Sequence, residues 1–265
     1  MTTAADVTRV DPVLPATPGI ELKDIHKAFL VNGRVMVALD AINLQAFPGE
    51  FVSVIGPSGS GKSTLFNIVC GLLEPDGGEV LLKGQSAPQR LGRMAYMPQR
   101  DLLLPWRTVV DNVILPAELR GDPLAEARRR ATELLPLFGL DGFGQSFPAA
   151  LSGGMKQRAA LLRTFFCEKE IMLLDEPFGA LDAITRTEMQ AWLLQVWSRF
   201  RHTILFITHD VEEAIFLSDR VYVMTARPGR ISRVADIDLP RPRDRDMFTE
   251  AHFVALRHEL MEALR

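Results

Sequence analysis

The apolar positions of this chain change period along its length. Between Ile20 and Phe51 they fall in short alternating segments, broken by Asn32-Gly33 and Pro48-Gly49, both turn signals. Phe51-Val52-Ser53-Val54-Ile55 is a compact, β-branched run that reads as a buried strand. A glycine-rich loop follows, then a helix predicted over Lys62–Leu72. Glu79–Leu82 and Arg93–Met97 read as two more strands. From Thr108 to Phe138 the period becomes helical. Asp122-Pro123 supplies a start signal, and Leu124, Ala127, Ala131, Leu134, Leu135 and Phe138 share one face that Gly139 ends. Helices over Ser152–Glu168 and Thr185–Phe200, and a short one from Val211, then alternate with strands at Ile171–Leu174, Thr203–Thr208 and Arg220–Met224. A turn at Pro228-Gly229, one more strand and a helix over Met247–Leu264 close the pattern.

Strand alternating with helix is the mark of an α/β fold with a mostly parallel sheet. The strand-rich start predicts an N-terminal antiparallel β subdomain. The helical block, about residues 100–150, interrupts the α/β rhythm and reads as an inserted α-helical subdomain. Residues 1–19, with Pro12, Pro15 and Pro18, are expected to be a flexible tail. The main domain is expected over residues 20–246, with a C-terminal helix over 247–265.

Two stretches carry chemistry. Gly56-Pro57-Ser58-Gly59-Ser60-Gly61-Lys62-Ser63 fits the phosphate-loop pattern between a strand and a helix, and Thr64 continues it. Its glycines let backbone N–H groups turn inward around phosphate oxygens, and the helix that follows adds its positive end. Lys62 is the cation for the terminal phosphates of a nucleotide, and Ser63 offers a hydroxyl to Mg²⁺. In Ile171–Glu176 an apolar strand ends in two carboxylates, at the sheet edge where ligands bind. Asp175 is placed to hold Mg²⁺ through water. Glu176 is placed to polarise an attacking water.

Composition narrows the setting. The chain has 265 residues, 47% of them hydrophobic, and its 30 Lys+Arg against 33 Asp+Glu leave a net charge of −3. That excludes a disordered chain and disfavours a dedicated nucleic-acid binder. Its longest apolar runs fall far below the roughly 18 residues of a membrane helix. Met1–Gly19 lacks the pattern of a secretory signal, so the protein is expected in the cytosol. Cys70 and Cys167, far apart and in apolar helical text, are expected to be buried, reduced thiols.

Leu151-Ser152-Gly153-Gly154-Met155-Lys156-Gln157-Arg158 is a second anion nest at a helix start, 23 residues before Asp175. With this segment the sequence resembles the ATP-binding cassette ATPases over Ile20–Ile231. Gln99 looks like the family's Q-loop residue, Gly179-Ala180-Leu181-Asp182 like its D-loop, and His209 like its switch histidine. Phe29 stands where the family stacks an aromatic ring on adenine. Met155 replaces the commoner Gln of the signature and Phe29 the commoner Tyr.

The resemblance implies ATP and Mg²⁺ as ligands, with Ser63, Gln99 and Asp175 around the metal. It implies Lys62, Gln99, Glu176 and His209 in hydrolysis. It also implies a head-to-tail dimer in which Ser152, Gly153, Gly154 and Asp182 of one copy complete the site of the other. The text Leu104–Thr108, Ser152–Arg158 and Thr225–Ile231 resembles the nitrate/sulfonate/taurine importer branch, and related importers for bicarbonate or pyrimidine precursors share it. That branch implies separate membrane permease subunits, docked through the Gln99–Thr108 region, and indirectly a solute-binding protein. It places the chain on the cytoplasmic face of the inner membrane. The alternative is a non-transport ATPase acting as a regulatory or DNA-associated module. The DNA-repair type needs a long coiled coil between its phosphate loop and signature, and the roughly ninety residues here carry no sustained heptads.

Overall fold

A computed structural model describes residues 17–179 and 181–265. Residues 1–16, most of the expected tail, and Ala180 lie outside the described residues. Gly19 is already tied down, its N–H donating to the Ala46 carbonyl at 2.9 Å.

Two sheets form. β1 (Ile20–Val31) and β2 (Arg34–Ala46) make a long hairpin around Asn32-Gly33, where both residues take positive φ as a tight turn requires. With β4 (Gly77–Leu82) and β5 (Gln85–Ser86) they form a four-stranded antiparallel sheet, in the order β2-β1-β4-β5. The second sheet joins β3 (Phe51–Ile55), β6 (Ala95–Met97), β7 (Ile171–Asp175), β8 (Thr203–Thr208), β9 (Arg220–Met224) and β10 (Ile231–Asp236) in the order β10-β9-β3-β8-β7-β6. Every pair in it is parallel except β10 with β9. The expected antiparallel subdomain and mostly parallel core sheet are both present.

The alternation of β3 divides the core. Phe51 and Ile55 face one apolar cluster, shared with Phe138, Phe206, Phe216 and Phe253. Val52 and Val54 face the other, between the two sheets, with Leu22, Leu39, Phe66 and Tyr222. Helix α1 (Lys62–Cys70) lies in that second cluster. It ends two residues earlier than the sequence suggests, because Gly71 adopts a left-handed cap at φ 84°.

The helical block is divided, and one of its helices begins just after the Asp122-Pro123 start signal. It is three short helices, α2 (Val109–Val113), α3 (Leu115–Arg120) and α4 (Leu124–Leu134). Pro116 and Pro123 cannot donate backbone hydrogen bonds, and Gly121 caps α3 at φ 81°. Asn112 stitches the block together: its side chain accepts from the Leu104 N–H and donates to the Leu104, Arg107 and Thr108 carbonyls. The block joins the core through Phe138, which is fully buried edge-on to Phe165 at 5.4 Å and Trp192 at 5.2 Å.

Helix α5 (Gly153–Phe165) precedes β7, α6 (Ala183–Phe200) precedes β8, and α7 (Val211–Leu217) lies between β8 and β9. The C-terminal segment is a 3₁₀ turn at Asp246–Thr249 followed by α8 (Ala251–Ala263), rather than one helix from Met247. Phe253, Leu256 and Leu260 of α8 are buried in the same cluster as Phe51. Cys70 is buried as expected, but Cys167, at the end of α5, is only half-buried. Among the described residues no helix is long and apolar enough to cross a membrane.

Phe138→Ala removes the ring that packs the end of the helical block against Phe165 of α5 and Trp192 of α6. It is expected to destabilise the protein by about 3–5 kcal/mol, read as a lowered midpoint in urea unfolding.

Candidate functional site

The site forms where the carboxyl ends of β3, β7 and β8 meet the start of α1. The phosphate loop runs from β3 into α1 and is shaped by contacts only glycine allows. A Cβ at Gly56 would stand 2.9 Å from the Met224 carbonyl oxygen. At Gly61, where φ is +97°, it would stand 2.7 Å from the Leu39 side chain. Lys62 curls back into the loop and donates to the carbonyls of Gly56 at 2.7 Å and Pro57 at 3.1 Å. The loop's carbonyls are thus gathered on the lysine. Burial pulls the Lys62 ammonium below the ordinary lysine range, and the carboxylates of Glu176 and Asp175 oppose that pull. The Ser60 hydroxyl is buried without a hydrogen-bond partner, a polar atom left over inside the loop.

Asp175 ends β7 beneath this loop and is buried. Burial pushes its carboxyl up, the Ser63 hydroxyl pulls it down, and the neighbouring Glu176 charge pushes it up again. The Tyr96 hydroxyl donates to Asp175 at 3.4 Å, a long contact. Glu176 follows in the left-handed region, at φ 44°, where a side chain is strained. Gln99 Nε2 donates to Glu176 Oε2 at 3.1 Å, and His209 Nδ1 lies 3.4 Å from the same oxygen. Three segments far apart in sequence therefore converge on one carboxylate oxygen.

A cleft of about 340 Å³ opens over this floor. Of the residues expected from the sequence, Phe29, Ser58, Gly59, Gly61, Lys62, Ser63, Thr64, Gln99 and Glu176 line it. Gly56 and Pro57 reach it through Lys62, and His209 through Glu176. Ser152, Gly153, Gly154 and Asp182 are not among the lining residues. Ser152 caps α5 by accepting from the Met155 N–H at 3.3 Å. Asp182 caps α6 by accepting from the N–H groups of Ile184 and Thr185 at 3.1 and 3.0 Å.

Sequence reasoning missed three lining residues, Met36, Ala38 and Arg227. Met36 was findable, since the Asn32-Gly33 turn sets it opposite Phe29 in the hairpin register. Arg227 comes from the turn after β9, and no local signal ties that turn to the phosphate loop. A larger hollow of about 590 Å³ opens at the opposite edge of the parallel sheet, lined by Phe138, Phe165 and Phe200 among others. It contains none of the motif residues, so size does not mark the chemistry here.

The donor set fits a magnesium nucleotide. The Ser63 hydroxyl, the Gln99 amide oxygen and the Asp175 carboxylate are hard oxygen ligands of the kind Mg²⁺ takes. The orphaned Ser60 hydroxyl and the glycine-only loop suit an anion above them.

The family described as ABC transporter matches residues 39–179. The chain is 44% identical over 246 residues to an uncharacterized ABC transporter ATP-binding protein of Methanocaldococcus jannaschii, covering 93% of this chain and 91% of that one. It is 37% identical over 243 residues to the aliphatic sulfonates import ATP-binding protein SsuB of Bacillus cereus, covering 92% and 94%. Its fold matches a dimeric ATP-binding cassette in a post-hydrolysis state bound to ADP and Pi, with a TM-score of 0.73 and 30% identity over 83% of this chain and all of that one. With a loop shaped for a polyphosphate, a carboxylate shared by Gln99 and His209, and these relatives, the chain belongs to the ABC transporter family, as an ATP-binding and ATP-hydrolysing cassette.

Proposed function

We propose that this cassette powers an importer of a small anion or an organosulfur or nitrogen solute, of the nitrate, sulfonate or taurine type, by docking to separate membrane permease subunits through the Gln99–Thr108 region. The observation that carries this reading is the join between the site and an exposed apolar loop. Gln99 bonds the Glu176 carboxylate at the cleft floor. A few residues on, Leu102 is 57% exposed and Trp106 71% exposed, while Leu103 between them is buried. Arg163 of α5 holds the start of this loop through the Asp101 and Leu102 carbonyls. The loop is thus fixed at its root and apolar at its tip, as a protein docking surface requires. Kinship to a sulfonate import subunit supports the solute class. Kinship to an import ATP-binding protein supports peripheral attachment at the cytoplasmic face of the inner membrane.

Each site residue then has a role. Phe29 supplies a ring at the outer end of the cleft for adenine. Backbone N–H groups of the loop between Ser58 and Thr64 surround the phosphates, and Lys62 carries the fixed charge among them. Ser63, Gln99 and Asp175 would hold Mg²⁺, which would supply positive charge beside the phosphates. Glu176 accepts the proton of an attacking water, and His209 and Gln99 fix the carboxylate oxygen that does so. Ser152, Gly153 and Gly154, together with Asp182, stand outside the cleft of their own chain and are offered to a second copy arranged head to tail. ATP bridging both copies stabilises the closed pair, and hydrolysis removes the contact that favours it. A solute-binding protein acts on the far side of the permease and touches this chain only indirectly.

Glu176→Gln keeps the amide within reach of Gln99 and His209 but removes the proton acceptor. ATP binding is expected to persist while turnover falls by about 10²–10⁴, and ATP is expected to shift the variant to a dimer in size-exclusion chromatography. Turnover near wild type removes Glu176 from this role. Trp106→Ala removes the exposed ring of the docking loop, which does not line the cleft. Soluble ATP binding is expected to be unchanged, while recovery of permease subunits from detergent extracts falls by about tenfold; undiminished recovery overturns the docking assignment.

A further inference from the structure

The turn between β9 and β10, residues 225–230, presses directly on the phosphate loop. A Cβ at Gly229 would stand 2.1 Å from the Ser60 carbonyl oxygen, so only glycine fits there. The Gly229 N–H donates to the Ala38 carbonyl and its carbonyl accepts from the Asp40 N–H, both at 2.9 Å. Thr225 closes the turn on itself: its hydroxyl donates to the Pro228 carbonyl and accepts from the Arg230 N–H. The backbone here is a fixed platform against the nucleotide cleft.

Two arginines leave this platform, and they are treated differently. Arg230 forks onto the Asp40 carboxylate, an ion pair that pins the turn to β2. Arg227 has no carboxylate within ion-pair distance among the described residues. It lines the cleft with Phe29, Met36, Lys62 and Glu176. Its guanidinium donates to the Met36 sulfur at 2.8 Å, a weak acceptor, and to the Gly59 carbonyl at 3.5 Å, the limit of a hydrogen bond. Most of its five donors have no protein partner among the described residues. The charge count around it is unbalanced in the other direction. Asp175 and Glu176 face a single ammonium, Lys62, before any nucleotide phosphate is added.

From these observations we infer that Arg227 is a nucleotide-binding residue, which closes from the β9–β10 turn onto the polyphosphate of the bound nucleotide at the outer lip of the loop. The inference rests on the reading of the cleft as the ATP site. A planar fork of donors is suited to phosphate oxygens, and delivery from a rigid turn reduces the entropy lost on binding. Met36 and Gly59 hold the guanidinium near its place without the desolvated ion pair that would have to be broken first.

The test uses the full chain and two substitutions. Arg227→Met keeps an apolar stem against Met36, and Arg227→Lys keeps the charge. Binding of ADP with Mg²⁺ is measured by calorimetry at several NaCl concentrations, and adenosine binding by NMR titration. Arg227→Met is expected to weaken ADP binding about tenfold or more and to leave adenosine binding within about twofold. Arg227→Lys is expected to recover part of the loss, and the affinity of the Met variant to fall less steeply with salt than that of the unaltered protein. An Arg227→Met protein that binds ADP as the unaltered chain does overturns the inference and leaves the ATP-site reading standing. So does equal loss of ADP and adenosine, which would mean that the pocket itself had collapsed. An unaltered chain that binds no ADP at all overturns both readings together.

Discussion

The site depends on how one ammonium is buried. Lys62 sits where water is largely excluded, and its charge is carried by the Gly56 and Pro57 carbonyls and by the fields of Asp175 and Glu176. This has two consequences. Drawing the carbonyls of the phosphate loop onto the lysine leaves the opposite, N–H side of the loop for an anion. The two carboxylates at the end of β7 oppose the pull of burial on the ammonium, so β3, α1 and β7 must be held in register for them to reach it. The parallel ladder from β3 through β8 to β7 provides that register, and the apolar clusters on either side of the sheet hold the ladder.

A second constraint follows from the first. Glu176 is one residue beyond a buried strand and sits in a left-handed conformation. A residue there is costly unless its surroundings over-determine it. Its N–H donates to the Ile207 carbonyl at 3.0 Å, and its carboxylate meets Gln99 and His209. Asp175 is bonded by the Ser63 hydroxyl, while Glu176 lines the cleft floor. Gln99 in turn begins the loop that carries Trp106 to the surface. The proposed proton acceptor and the proposed docking loop thus share one hydrogen bond.

Much of this is legible in the sequence because the chemistry of the family sits in contiguous words. Gly56–Ser63 and Ile171–Glu176 announce both the loop and the strand end, and alternation of period announces the sheet. What is lost is information carried by non-local packing. In the helical block the start signal at Asp122-Pro123 and the face of Leu124, Ala127 and Ala131 are local and match α4, whereas the division of the preceding residues at Pro116 and Gly121 is not marked by any period. Cys167 reads as buried from its apolar neighbours, but it falls in the last turn after α5, where the chain emerges. Arg227 reads as an ordinary charge in a turn. Its place in the cleft is set by Gly229 packing on Ser60, a contact between positions 169 residues apart, which no spacing rule encodes.

The central claim is that the state of the nucleotide at Glu176 is passed through Gln99 to the exposed loop that follows it. Hydrogen–deuterium exchange on the isolated chain tests this most directly, with the amides of residues 56–64 reporting occupancy and those of residues 101–108 reporting the loop. The account predicts that ATP and ADP protect the phosphate loop alike, while ATP with Mg²⁺ slows exchange in 101–108 more than ADP does. Equal exchange in 101–108 under both nucleotides, with the phosphate loop protected in each, would contradict it.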